Sequence, residues 1–272
     1  MKKIITLEHG TKKFKIDTSK FIDISIPYNF NGLQPNFYNV IPGKMKSFED
    51  NNKCYSVKEG AGCNVLEISM NIHCTGTHTE CIGHIIEEKR SIPSFINNLF
   101  IPAVLITVKP VIFEECDDIY HVQLQNDEKV LSKELILKQF IKFKKFTPTC
   151  LIIRTLPNNK NKKFYSYPKK IPPFFTNNAI EYLNNCKILH LVVDMPSVDR
   201  MYDNGILGNH RIFWGGKPDR KLDIFKDSEK TITELAYIPN HIEDGFYFLN
   251  IQIPNFQIDA APSRPILFKV EH

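Results

Sequence analysis

The chain has 272 residues, of which 42% are hydrophobic and 24% charged, a balance that supplies a real core and excludes disordered, collagen-like and coiled-coil classes. Its net charge of +5 is too small for this size to demand a nucleic-acid or membrane partner. Seven cysteines, an odd number, in a chain too large to depend on disulfide staples, point to a reducing, cytoplasmic address.

In chain order, Met1-Lys2-Lys3 is followed by only four apolar-leaning residues, Ile4 to Leu7, short of the ~7–15 of a secretory signal, so none is expected. Residues 1–20 are set apart as an N-terminal extension to one domain over 21–272. Phe21 to Ile26 alternates apolar and polar residues before Pro27 and predicts a short strand. Residues 27–53, with Gly32, Pro35, Pro42 and Gly43, predict a long loop. Val65 to Ile72 alternates again, a strand running into a functional loop over 74–84.

A short helix is expected near Ser91 to Asn98, and Ala103 to Val108 reads as a buried strand. Ser132 is placed as the N-cap of a helix to Phe143, and Cys150 to Arg154 as a strand. Residues 157–173 form a basic, proline-bounded loop. Thr176 caps a helix through Asn184, which leads into a strand from Ile188 to Asp194. Thr231 to Glu234 reads as a capping box opening a short helix. Gly245 to Ile253 and Pro265 to Val270 close the chain as strands. Helices and strands mix without strict βαβ alternation, so the fold class is a single mixed α/β domain.

Ten basic residues and no acidic one lie between Leu135 and Ile180. No nucleic-acid-binding motif accompanies them, and a solvated loop is the reading adopted over docking of an anionic partner. The density of ligand-type side chains in 74–84 is the stronger signal. Cys74, His78, Glu80, Cys81 and His84 fall within eleven residues, and imidazole, thiolate and carboxylate together favour Zn²⁺ or a similar divalent ion. A structural zinc site of Cys74, His78, Cys81 and His84, a set of ordinary core residues, and a catalytic site completed by distant ligands are the three readings of the residues alone.

Thr75-Gly76-Thr77-His78-x-Glu80-x-x-x-His84 resembles the H-x-G-T-H-x-D-x-P-x-H signature of the cyclase family of metal-dependent hydrolases, which includes bacterial kynurenine formamidase. Asp194-Met-Pro196-Ser197-Val198-Asp199 with His210, the Arg154-Thr155 pair, Thr231 to Leu235, and Asp259-Ala-Ala-Pro262-Ser-Arg264 resemble later segments of the family in the same order. Cys74 stands where the family has His, Glu80 where it has Asp, and Ile82 where it has Pro.

The resemblance implies metal ligands at Cys74, His78, Glu80, His210 and Glu234, and His84 as general acid or base. It implies one or two Zn²⁺ ions, with Mn²⁺ also suited, and water attack on an amide, formamide or cyclic ester or imide of a small molecule. It implies a β-barrel-like core of the swivelling β/β/α type flanked by helices, in a homodimer. The Cys74 and Glu80 replacements motivate one alternative, a small-molecule binding protein that has lost catalysis. His9, His121, His190, His241 and His272 match nothing in the family pattern.

Overall fold

A computed structural model describes residues 2–219 and 228–271; His272 lies outside them. Eleven strands form one mixed sheet: β1 (Ile4–His9), β2 (Lys12–Asp17), β3 (Ile22–Asp23), β4 (His78–Cys81), β5 (Ile101–Val108), β6 (Cys150–Thr155), β7 (His190–Val193), β8 (Thr231–Glu234), β9 (Gly245–Gln252), β10 (Ala260–Pro262) and β11 (Arg264–Glu271). The order across the sheet is β1-β2-β11-β9-β5-β6-β7-β8-β4-β10, with β3 on β11. The central run β5-β6-β7-β8 is parallel, and antiparallel strands extend it on both sides.

The parallel run explains the apolar strands seen in the sequence. Val104, Ile106, Leu151, Ile153, Leu191 and Val193 face one core; Ala103, Leu105, Cys150, Ile152 and Val192 face the other. Strands buried on both faces read as continuous apolar runs. The first core is covered by α2 (Lys133–Phe140), α3 (Asn177–Asn185) and α4 (Gly208–Phe213), three short helices that follow the single-turn α1 (Ile72–Thr75). Ile24, Ala236, Ile238 and Ile242 cover the second. Ser132 and Thr176 cap α2 and α3 through their hydroxyls, which accept from Leu135 and Ala179 N–H groups.

Two expectations are corrected and a third, the mixed α/β domain with a β-barrel-like core, is met in part. The single mixed α/β domain is present; its large sheet is open, ending at β1 and β10, and no closed barrel is found among the described residues. Thr231 to Glu234 is a central strand and not a helix start: its neighbours β7 and β4 take up its backbone groups. The segment 74–84 is not a free loop, because His78–Cys81 is a buried strand.

The remaining segments also acquire structure. The first 20 residues contain a hairpin, β1 and β2, joined to the sheet through β11. Within the predicted long loop, Lys44–Ser47 pairs Leu66–Ser69, and Glu49–Asp50 pairs Lys53–Cys54. The basic segment is only partly solvated: Arg154 and Lys162 are buried and bonded to carboxylates, Asp244 and Asp194. Among the described residues no helix is long and apolar enough to cross a membrane.

Candidate metal centre

β4 and β8 run antiparallel with Glu234 opposite His78 and Ile232 opposite Glu80. Side chains alternate across a strand, so His78, Glu80 and Glu234 share one face. Thr79 and Thr233 meet on the other, their hydroxyls 2.7 Å apart. Cys81 is also on that second face, packed with Ile92 and Ala261. A structural zinc site through Cys81 is thereby excluded.

The fourth group arrives on α4. Asp199 accepts the Asn209 and His210 backbone N–H groups at 2.8 and 3.1 Å and lies 2.6 Å from His210 Nδ1. One carboxylate thus caps the helix and holds the ring proton on Nδ1, which turns the Nε2 lone pair inward. Nε2 lies 2.9 Å from Glu80 Oε1 and 3.6 Å from Glu234 Oε1. Glu234 Oε1 accepts the Val198 N–H at 2.9 Å.

His78 is oriented in the same way: Nδ1 donates to the Gly76 carbonyl at 3.0 Å. Its Nε2, 3.6 Å from Glu234 Oε2 and 3.9 Å from Glu80 Oε2, is buried without a hydrogen-bond partner. Glu80 Oε1 is buried without a well-aligned hydrogen bond too, with His210 Nε2 2.9 Å away as its ion-pair neighbour. Leaving such groups unsatisfied costs ~1–3 kcal/mol each, more when charged. Lone pairs from two imidazoles and two carboxylates converging on one volume fit a divalent cation of the N/O-binding kind.

Sequence reasoning missed His73. Asn71 caps α1 by accepting the Cys74 N–H at 2.9 Å, and this tight turn brings His73 Nδ1 to 3.0 Å from Glu80 Oε2. His73, His78 and Glu80 form one group with ligand atoms within 4.8 Å of one another; Glu80, His210 and Glu234 form a second. Glu80 belongs to both, one oxygen toward each. Cys74 lines the same pocket but enters neither group. Burial, with the Glu234 charge, pushes its thiol up to about 11.

His84 sits at the rim, a quarter exposed, with Nδ1 3.3 Å from Asp259 Oδ2 and Nε2 3.9 Å from Glu80 Oε2. Its ring stacks on His73 with centroids 4.2 Å apart. Asp259 Oδ2 also lies 3.3 Å from His73 Nε2. Burial disfavours charge on His73, yet bonds from Asp259 and Glu80 carry its pKa up to about 10. For His210, burial is likewise overcome by Glu80 and Asp199, which hold it well above the ordinary imidazole value. Burial opposes ionisation of Glu80, but the His84 and His210 charges hold its carboxyl far below the usual range. The centre is a place that demands positive charge, as protons or as a metal.

Above these groups opens a cavity of about 580 Å³. Phe37, Tyr38, Met201, Tyr202 and Leu207 give it largely apolar walls, the shape and chemistry of a small-molecule site.

An open mixed α/β sheet carrying paired imidazole–carboxylate groups beneath an apolar cleft defines a metal-dependent class of small-molecule protein. The chain belongs to the Cyclase family, whose model matches residues 22–200. Kynurenine formamidase of Bacillus thuringiensis (strain Al Hakam) is 25% identical over 253 residues, covering 92% of this chain and 98% of that protein. The Bacillus anthracis kynurenine formamidase is 23% identical over 256 residues with the same coverage. Among solved structures, one described as a "Potential Metal-Dependent Hydrolase With Cyclase Activity" superposes with a TM-score of 0.60 at 19% identity, covering 93% of this chain and 99% of that one. Isatin hydrolase A from Labrenzia aggregata, bound to benzyl benzoate, gives 0.59 at 16% identity, covering 93% and 94%.

Proposed function

We propose that the chain is a metal-dependent hydrolase that cleaves an amide, N-formyl or cyclic imide bond of a small aromatic molecule. The observation that carries this reading is the pair of buried atoms without a well-aligned hydrogen bond, His78 Nε2 and Glu80 Oε1, in one volume with His210 and Glu234. The names of the kynurenine formamidase relatives support the reaction class. His78, Glu80, His210 and Glu234 are the proposed ligands, with His73 in the position that the signature arithmetic gave to Cys74. A divalent ion bound there, Zn²⁺ before Mn²⁺, supplies a lowered water pKa and a Lewis acid for the carbonyl.

The chain's own groups do the rest. Phe37, Tyr38 and Tyr202 hold the flat part of the substrate and keep bulk water away from the carbonyl. Water adds to the carbonyl carbon, and His84, fixed by Asp259, takes its proton and passes it to the leaving nitrogen as the C–N bond breaks. His84 is suited to this because it is at once part-exposed to the cleft and anchored through Nδ1, with Nε2 on the side of the centre, 3.9 Å from Glu80 Oε2.

A cytoplasmic address, supported by seven unpaired cysteines, and a homodimeric state belong to the same reading; sedimentation analysis tests the latter. The deciding experiment measures metal content and hydrolysis of N-formylkynurenine-type and isatin-type substrates before and after chelation. Near-stoichiometric Zn²⁺ or Mn²⁺ and chelator-sensitive turnover are expected, with His84→Ala losing ~10²–10⁴-fold in rate. A protein that binds small aromatic amides equally well with and without metal, and turns over none of them, refutes hydrolysis in favour of the binding-protein alternative.

A further inference from the structure

Outside the centre, one buried histidine has a site of its own. His121 comes from the loop between Val111–Ile112 and Lys129–Leu131, and its side chain is only 3% exposed. Its Nε2 is buried without a hydrogen-bond partner. The atom lies 3.7 Å from Asp203 Oδ2 and 4.0 Å from Asp199 Oδ1. Those three side chains have the donor types of a cation site, so the proton on the ring decides what the cluster is.

That proton can be traced through the neighbours. Asn209 Nδ2 donates to the carbonyls of Phe175 and Val198 at 2.7 and 3.0 Å, which fixes the amide and exposes its Oδ1 as an acceptor. Asn177 Nδ2 donates one hydrogen to that Oδ1 at 2.9 Å and faces His121 Nδ1 at 3.1 Å with the other. Nδ1 is therefore the acceptor, and the proton of neutral His121 is on Nε2. An Nε2–H cannot ligate a metal, but it can face two carboxylates.

We infer that His121 is a positioning residue for the His210 ligand, acting through Asp199. The Asp199 carboxylate carries the whole load at His210: it caps α4 and takes the Nδ1 proton. Tyr120, next to His121, donates its hydroxyl to Asp199 Oδ1 at 3.0 Å. The Nε2–H edge of His121 keeps the buried Asp199 and Asp203 charges compatible at close quarters. The ring is also a spacer. A Cβ at Gly208, the first residue of α4, would stand 2.3 Å from His121 Cε1, so the helix turn that carries His210 is seated directly on this imidazole. Outer partners of metal-bound histidines of this kind typically alter metal affinity 10–100-fold.

This inference rests on the metal-centre reading, and the experiment separates the two. Dissociation constants for Zn²⁺ alone are measured by chelator competition for wild type, His121→Leu and His121→Gln, alongside ¹H–¹⁵N spectra of the histidine side chains. Leucine keeps the volume without a donor; glutamine puts an N–H where Nε2 was. About 10–100-fold weaker binding for His121→Leu, with His121→Gln within about threefold of wild type, is expected. Equal affinity for His121→Leu and wild type overturns the inference, as does equal weakening in both variants. If His121→Leu does not fold, Gly208→Ala displaces the ring instead: at least ~10-fold weakening supports the inference and an unchanged constant overturns it. A wild-type chain that takes up no Zn²⁺ removes the functional reading, and the spectra then decide: a His210 Nδ1–H signal kept by His121→Gln and lost in His121→Leu supports the positioning role, and one kept in both overturns it.

Discussion

Lys162 offers a severe test of how the centre's supporting loop is held. Its Nζ donates to Asp194 Oδ2 at 2.7 Å, the Thr155 carbonyl at 2.7 Å and Thr155 Oγ1 at 2.8 Å, so all three ammonium protons are used. Asp194 is fully buried as a side chain and begins the segment that delivers Val198 to Glu234 and Asp199 to His210. Lys162→Met keeps most of the stem but leaves the Asp194 charge without a counter-ion. Removing one partner of a buried pair costs ~3–5 kcal/mol, because the remaining charge is uncompensated.

With an unfolding entropy of ~2.1 cal/mol/K per residue over 272 residues, about 0.57 kcal/mol/K in all, a 4 kcal/mol loss lowers Tm by about 7 °C. Calorimetry and urea unfolding of Lys162→Met, Asp194→Asn and the double variant provide the check. Removing the stranded charge restores much of the loss in the double variant, which appears as a coupling energy. A loss below about 1 kcal/mol for Lys162→Met, the size found for exposed pairs, refutes the reasoning and returns Lys162 to a solvated loop.

Burial lowers His190 to about 4, so below the unfolded value of ~6.5 the unfolded chain binds a proton that the folded one refuses. Stability falls as pH drops from ~6.5 to 4, by up to about 3 kcal/mol, and His190→Gln flattens that part of a Tm–pH profile; an unchanged acid limb refutes it. Gly76 has an extended backbone (φ −174°), but a Cβ there would stand 2.7 Å from the Tyr28 ring. Gly76→Ala therefore loses ~1–3 kcal/mol by overpacking, and a urea midpoint matching wild type counts against it. Metal held only by the folded chain adds about 2.7 kcal/mol when free at 100 times its Kd; a Tm indifferent to chelator and added Zn²⁺ contradicts the ligand set. Glu80→Gln abolishes that metal-dependent rise, since Glu80 faces both ligand groups, and retention of the rise removes Glu80 from the set.

What the sequence made legible follows from how locally each feature is determined. The strands Ile101–Val108 and Cys150–Thr155 announce themselves because both faces are buried, and the caps at Ser132 and Thr176 need only their own first turn. His78–Cys81 and Thr231–Glu234 were opaque for the opposite reason. The ligand-type residues of β4 erase the apolar alternation that marks a strand. In β8, Thr and Glu three apart satisfy a capping box equally well, and only the flanking β7 and β4 decide the outcome. Lys162 and Arg154 look solvated in a basic stretch because their acidic partners, Asp194 and Asp244, are tens of residues away.

The placing of His73, next to Cys74, beside Glu80 shows how one helical turn bears on a motif read by spacing. Counting back four positions from His78 lands on Cys74, but the residues before Gly76 are helical. In a helix, neighbouring side chains diverge by about 100°, so a shift of one position changes which of them faces the centre. The Asn71 cap sets that rotation by holding the Cys74 N–H, and it brings His73 against both Glu80 and Asp259. A chain with Cys at the signature position therefore also has an imidazole beside Glu80, and Asp259, just before β10, faces that second histidine in addition to His84.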